Sequence, residues 1–314
     1  MGGRRWTAIL ILPLLSAPGV TAQAWVPAAG EAYVRLAQGV ASAEERFDAE
    51  GTVVPYNETT GETVRDRSVY LYGEVGLGRG AALVALLPYR RVTVSDPQFT
   101  PPFDRESAAW GTAVLGLRYD LGRAVGLAQD GPTRLAVNGT AGLPLGYTRN
   151  YRPAVGPGQV DLALSLDLGR SLWPAPGYVQ GRLGYRHRTS LYGLSAATAC
   201  KRDADADGHA CLPDADVRRD YGDEFLFGAE AGVTLGPVLV QALLDGTWSA
   251  TRPTSEPVGA PPESFVRQRL VRAGAGLTLY GPFGVGVGAQ VFVPAHAQNA
   301  LRTAEWFVGV EKRF

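Results

Sequence analysis

The feature that most limits the fold of this chain is a period-two alternation of apolar and polar residues. In the segment Val160-Asp161-Leu162-Ala163-Leu164-Ser165-Leu166-Asp167-Leu168, valine and leucine occupy every even position, and aspartate, alanine and serine occupy the odd ones. Successive side chains of a strand point to opposite faces, so this pattern indicates a β-strand with one apolar face. The same alternation recurs in 133–146, 223–236 and 285–298. An all-β fold follows.

About twelve such segments of roughly 9–15 residues follow one another, the length that a tilted strand needs to cross a bilayer. They lie near 31–47, 62–78, 81–95, 111–122, 133–146, 160–172, 178–191, 223–236, 238–252, 267–281, 285–298 and 305–314. The predicted fold is a transmembrane antiparallel β-barrel of about twelve strands. A soluble sandwich, with its apolar face as a core, is the structural alternative.

The connections between these segments favour the barrel. Short links such as 78–80 and 236–237 alternate with long ones near 48–61, 96–110, 147–159, 192–222 and 253–266. Outer-membrane barrels have short periplasmic turns and long extracellular loops, whereas a sandwich has no reason for this alternation. The longest external loop is predicted at 192–222.

Both ends of the chain carry signals of export and membrane assembly. Residues 1–24 combine a basic start, a short apolar run and the small residues Ala22-Gln23-Ala24, which is typical of a secretory signal peptide cleaved after Ala24. The barrel is then expected over 25–314. The last strand ends in Phe314 and resembles the terminal signal that the barrel-assembly machinery recognises. A bacterial outer-membrane location, with membrane lipid and that machinery as partners, is expected.

Composition narrows the function without naming it. The 30 basic and 30 acidic side chains cancel, which leaves no positive excess for binding nucleic acid. With the apolar face turned to lipid, many charged side chains point inward. The residues predicted to line the lumen are Arg35, Glu74, Arg118, Arg134, Asp161, Asp167, Arg182, Arg186, Glu230, Asp245 and Arg272. Two readings stay open: the charges pair along the wall, or they form a polar permeation path.

One loop carries a metal-binding pattern. Asp203, Asp205 and Asp207 occupy positions 1, 3 and 5, a glycine follows at position 6, and Asp214 stands at position 12. This spacing matches calcium loops, in which the His209 carbonyl would be the ligand at position 7. Cys200 and Cys211 bracket the loop, and a disulfide is plausible in an exported protein. Calcium is the predicted cofactor; a solvated acidic loop without metal is the alternative.

Enzyme signatures are weak. No HExxH or GxSxG pattern is present. His187 and Ser190 could serve a membrane phospholipase, but an ordinary strand end explains them better. We therefore expect a protein that is not an enzyme.

Several stretches resemble outer-membrane proteins associated with meta-pathway phenol degradation, which are relatives of the long-chain fatty-acid transporters. They are Gly30-Glu31-Ala32-Tyr33, Glu74-Val75-Gly76-Leu77, Leu87-Pro88-Tyr89, Gly142-Leu143-Pro144, Gly156-Pro157-Gly158-Gln159-Val160-Asp161, Gly169-Arg170-Ser171-Leu172, Gly184-Tyr185-Arg186-His187-Arg188 and Asp223-Glu224. The resemblance implies passive uptake of small hydrophobic or aromatic compounds. Unlike fatty-acid transporters, this chain has no long N-terminal plug after Ala24, and the calcium-like loop is an addition.

The leading hypothesis is therefore a passive outer-membrane channel or transporter for small solutes. The alternative is a structural or adhesive barrel, whose calcium-ordered external loop binds a partner or a surface polymer.

Overall fold

The computed structural model describes residues 24–57, 61–96, 103–122, 124–128, 131–147, 151–192, 210–211, 222–251 and 268–314. Twelve long strands make up nearly all of these residues. They are β1 (Ala32–Phe47), β2 (Thr63–Gly78), β3 (Ala81–Asp96), β4 (Phe103–Trp110 continued by Thr112–Asp120), β5 (Thr133–Pro144), β6 (Gln159–Ser171), β7 (Gly177–Tyr192), β8 (Glu224–Leu235), β9 (Val238–Ser249), β10 (Arg269–Tyr280), β11 (Val285–Gln298) and β12 (Ala300–Arg313). Short extra segments lie at Val53–Pro55, Tyr151–Arg152 and Ala210–Cys211.

The sheet closes on itself. Each strand pairs antiparallel with its neighbours in the sequence, and β12 pairs with β1 from Tyr33↔Arg313 to Phe47↔Ala300. Closure gives every barrel strand a partner on both sides, which leaves no open edge for pairing with other chains. The predicted twelve-stranded antiparallel barrel is confirmed.

Two strand boundaries differ from the sequence prediction. The loop expected over 96–110 is wrong for its second half, because Phe103–Trp110 pairs with β3 as the outer part of β4. Its charged residues hide the alternation, and Gly111 interrupts the ladder where its amide bonds the Pro88 carbonyl. The twelfth strand begins at Ala300, and only Asn299 separates it from β11.

The outer wall of the barrel is apolar. On β6, the even-numbered side chains Leu162, Leu164, Leu166 and Leu168 are each about half exposed or more, while Asp161 and Asp167 are buried on the inner side. A continuous belt of exposed leucine and valine around a closed barrel matches a surface that faces lipid. Among the described residues, no helix is long and apolar enough to cross a membrane.

The two ends of the barrel differ. The end that holds both chain termini has the turns 79–80, 172–176, 236–237 and 281–284, together with the longer link 121–132. The opposite end has the links 48–62, 97–102, 145–158, 193–223 and 250–268, and the single residue Asn299. By the rule for outer-membrane barrels, the first end is periplasmic (the inner end) and the second is extracellular (the outer end).

Candidate functional site

A continuous chain of hydrogen bonds lines the inner wall from β2 to β7. Tyr72 donates to Glu74, and Arg118 donates to both Glu74 and Asn138, at 2.7 and 2.8 Å. Asn138 in turn donates to Asp167, which also accepts from Arg182. Because these residues sit on alternate inward positions of neighbouring strands, the period-two pattern itself brings them together. Four of the residues predicted to line the lumen take part in these hydrogen bonds, namely Glu74, Arg118, Asp167 and Arg182.

Apart from Arg134, the other predicted lumen residues also point inward and have partners. Arg186 donates to Glu224, and Arg272 bridges Asp245 and Glu305. Glu230 accepts from Tyr178, Gln180 and Gln241, Arg35 donates to Gln290, and Asp161 lies 3.8 Å from an Arg188 nitrogen. Arg186, Arg272 and Asp245 are thus paired with groups of opposite charge, and Glu230 and Arg35 bond neutral side chains of the wall.

Arg134 departs from this pattern. Its guanidinium bonds the carbonyls of Gly131 and Thr133, so it stabilises the turn before β5 at the inner end instead of facing the middle of the lumen. By strand parity Arg134 stands at an inward position of β5, but it lies at the end of the strand, where its side chain reaches the adjacent turn.

One side of the lumen is filled by aromatic rings. Phe307 packs edge-on against Tyr70 and Phe292, with ring centroids 5.9 and 6.1 Å apart. Gly39 on the strand between makes room for them, because a Cβ there would lie 2.9 Å from both the Tyr70 and Phe307 rings. This cluster closes the β11–β12–β1–β2 side of the lumen and leaves space on the other side.

That space is a cavity of about 250 Å³, lined mainly by β3 to β9, with Tyr72 of β2 and Phe292 of β11 at its side. One part of its lining is apolar, with Val84, Leu86, Val114, Leu243 and Phe292. The other part is polar and includes Asn138, Ser165, Asp167, Arg182 and Asp245. We call this cavity the chamber.

Two charged groups of the chamber stay partly accessible. The side chains of Arg182 and Asp245 are 34% and 30% exposed, and both line the cavity. Arg182 uses Nε for its bond to Asp167, which leaves its two terminal nitrogens to face the chamber as donors. A bound molecule would therefore meet the N–H donors of the Arg182 guanidinium beside an apolar surface.

The inner end of the lumen is crossed by the segment before β1. Its residues Pro27 and Ala28 lie against Gly76 of β2, and Trp25 reaches Gly169 and Tyr178 on β6 and β7. β6 and β7 stand four and five positions from β2 in a ring of twelve, so the segment spans the mouth from one wall to the other. Gly169 is the next inward position after Asp167, which places Trp25 below the chamber. The sequence showed no long plug after Ala24, and the segment that crosses the inner mouth is short.

The outer end is covered by the link between β5 and β6. Tyr147 is buried there, its hydroxyl 2.7 Å from Thr112 and accepting from the Gly158 amide at 3.0 Å. Arg90 donates to the Val155 carbonyl of the same link. Burial raises the pKa of Tyr147 to about 12. Since Thr112 also lines the chamber, Tyr147 lies directly above it.

Neither Trp25 nor Tyr147 was among the predicted site residues. Trp25 follows the predicted cleavage site and Tyr147 lies in a link, and neither belongs to an alternating segment. A signal was present in the glycines at 156 and 169, where a bulky ring could approach the backbone.

On the lipid side lies the exposed His187, which the sequence offered with Ser190 as a candidate phospholipase pair. Its Nδ1 lies 3.1 Å from Asp223, which also accepts from the Tyr185 hydroxyl and the Arg188 amide. Partial burial raises the pKa of Asp223, but the hydrogen bonds outweigh it, so that pKa lies below its ordinary value. The side chain of Ser190 lies outside the described residues.

The predicted calcium loop, Asp203 to Asp214, also lies outside the described residues apart from the backbone of Ala210–Cys211, as do Cys200 and residues 1–23. The calcium site, the disulfide and the signal peptide stay predictions.

The sequence matches no protein-family model and no curated protein. Among solved structures, it is similar to an outer-membrane channel from Pseudomonas putida F1, at 12% identity over 95% of this chain and 100% of that chain, with a TM-score of 0.68. Weaker likenesses include the P. putida toluene transporter TodX (9% identity, 98% and 94% covered, TM-score 0.44) and the CymD monoaromatic hydrocarbon channel (11%, 92% and 89%, 0.42).

The first likeness shows that the chain has the fold of a bacterial outer-membrane channel. The resemblance found in the sequence is confirmed at this level. The fold and the apolar outer wall agree with the predicted location in the outer membrane.

Proposed function

We propose that this barrel is a passive outer-membrane channel for small, largely apolar solutes, with monocyclic aromatic alcohols as the preferred class. The observation that carries the proposal is the chamber of about 250 Å³, which lies inside the barrel between Trp25 and Tyr147. A dry apolar cavity of about 150 Å³ is large enough for benzene. The chamber therefore has room for one substituted ring.

The lining supports this class of solute. An apolar wall at Leu86, Leu243 and Phe292 suits an aromatic ring, and the free donors of Arg182 suit a hydroxyl oxygen. A wide hydrophilic pore would instead need unpaired charges and an open path. Here the inner-wall charges bond one another, and Trp25 and Tyr147 lie at the two ends.

The P. putida channel agrees in fold, and the toluene and monoaromatic hydrocarbon transporters are named for the same chemistry, although their likeness to this chain is weaker. The support for the solute class comes from the chamber itself.

Uptake of radiolabelled catechol into proteoliposomes with lipopolysaccharide in the outer leaflet tests the proposal. The Ser165→Trp variant should lose uptake, because an indole at this lining position occupies the chamber. The matched control is Leu164→Trp, the adjacent residue on β6, which is 61% exposed on the lipid side. It should transport like the unsubstituted barrel.

Folding of each variant is checked by heat-modifiable gel migration. A folded barrel with no uptake above protein-free vesicles would overturn the proposal. Equal uptake by the Ser165→Trp variant would exclude the chamber as the route.

A further inference from the structure

Three arginine side chains lie together on the lipid-facing surface near the outer ends of β2 and β3. Arg67 and Arg91 stand directly opposite each other in the β2–β3 ladder. Arg65 lies two residues from Arg67 on the same face of β2, closer to the outer end of the barrel. All three are exposed, and the Arg91 side chain keeps 57% of its surface accessible. We call these residues the arginine triad.

The triad has too few acidic partners. Arg91 bonds Glu106 at 2.8 Å. Within the described part of the chain, Arg65 and Arg67 have no carboxylate partner, and their β1 neighbours are the uncharged Ser42 and Val40. Two further exposed acids of this region are Glu44 on β1 and Asp104 on β4, both closer to the outer end than Arg67 and Arg91. Like charges directly opposite each other destabilise a sheet. An external anion bound at Arg67 and Arg91 therefore stabilises this part of the sheet.

The position of the triad indicates which anion. On the lipid-facing side of β2, Arg67 is followed toward the membrane centre by Val69 and Leu71, and both of these side chains are exposed. On β3, the position next to Arg91 is Tyr89, which packs against Trp110 at 5.3 Å between ring centroids. Exposed aromatic rings mark the level of the lipid headgroups. The triad therefore lies just beyond the apolar belt, at the extracellular headgroup level.

We propose that Arg65, Arg67 and Arg91 bind the phosphate groups of one lipid A headgroup of the surrounding lipopolysaccharide. Lipid A combines phosphorylated sugars with acyl chains, and this surface offers guanidinium groups directly above exposed Val69 and Leu71. Guanidinium groups bind phosphate bidentately. The bound lipid neutralises the Arg67–Arg91 pair and fixes the rotational position of β2 and β3 in the outer leaflet.

Lipid retention by the full-length barrel tests the assignment. The delipidated barrel in detergent is mixed with bisphosphorylated lipid A, and bound lipid is counted by native mass spectrometry. The R65Q/R67Q/R91Q variant should bind lipid A about a hundredfold more weakly, since three arginines at a charged lipid surface contribute on the order of 1 kcal/mol each and every 1.4 kcal/mol is tenfold in affinity. The matched control is R302Q, which removes an exposed arginine that already pairs with Glu45 at 2.6 Å. It should retain lipid A fully.

Two further arms separate headgroup binding from other causes. Dephosphorylated lipid A should bind the unsubstituted barrel as weakly as intact lipid A binds the triple variant. Inorganic phosphate should not displace lipid A, because it lacks the acyl chains. Equal retention by the triple variant, an equal loss with R302Q, or complete displacement by inorganic phosphate would each overturn the proposal. If the triple variant fails the gel test for folding, R67Q alone should still show weaker retention.

Discussion

The ring of Trp25 packs edge-on against Tyr178 on β7, with 5.9 Å between ring centroids, although the chain enters the barrel wall six strands away at β1. This contact fixes the N-terminal segment across the inner mouth. The Tyr178 hydroxyl bonds Glu230, which also binds Gln241. The short segment is thereby linked to the wall of the chamber.

Opening the inner mouth should raise ion conductance. Gly169→Ala places a Cβ 2.5 Å from the Trp25 ring, and Trp25→Ala removes the ring itself. Both variants should conduct more than the unsubstituted barrel in single-channel recordings in planar bilayers. Gly181→Ala is the control, since a Cβ there meets nothing closer than 3.8 Å. Unchanged conductance in both variants would show that Trp25 does not limit the path.

The hydrogen-bond chain of the inner wall should be costly to break. Arg118→Leu leaves the Glu74 carboxylate, 11% exposed, without its guanidinium, and should lower the free energy of unfolding by about 3–5 kcal/mol. The double variant Arg118→Leu/Glu74→Leu should recover most of this loss, because neither charge then remains buried alone.

Urea unfolding followed by tryptophan fluorescence measures both effects. Arg302→Leu provides the comparison, because its pair with Glu45 is exposed and should contribute at most about 1 kcal/mol. A small loss for Arg118→Leu, similar to that for Arg302→Leu, would contradict the structural role of the chain.

Alkaline pH should open the outer cover. The pKa of Tyr147 is raised to about 12 by burial, above the ordinary value of about 10. The neutral phenol therefore stabilises the closed link fully below pH 10, and this contribution is lost as the pH rises through 12. Conductance should increase over this window. It should not do so in Tyr147→Phe, whereas Tyr119→Phe, on the lipid side, should behave like the unsubstituted barrel.

The external loop should become protease-resistant with calcium. We expect calcium ions to protect residues 203–214 from limited proteolysis, because three aspartates at positions 1, 3 and 5 and a fourth at 12 provide the oxygen ligands. Asp205→Asn with Asp207→Asn should abolish the protection, and Asp216→Asn, outside the spacing, should not. Equal cleavage in the presence of calcium and of chelator would contradict the calcium site and indicate a solvated loop without metal.

Much of the barrel was predictable because one local rule governs it. Each of the twelve strands overlaps a segment found by period-two alternation, and parity alone predicts an inward position for Asp161, Asp167 and Arg182, which line the chamber. The rule failed where charges broke the alternation, as in Phe103–Trp110, and where a side chain at a strand end bonded its own turn, as Arg134 does.

The sequence by itself determined the strands, their two faces and the sidedness of the loops, because alternation and turn residues act over a few neighbouring positions. Only the tertiary structure decided which charges pair, that aromatic rings fill one side of the lumen, and that Trp25 and Tyr147 lie at the two ends of the chamber. These contacts join residues far apart in the chain, such as Arg35 and Gln290. Their partners follow from the closure of the ring, which no local pattern records.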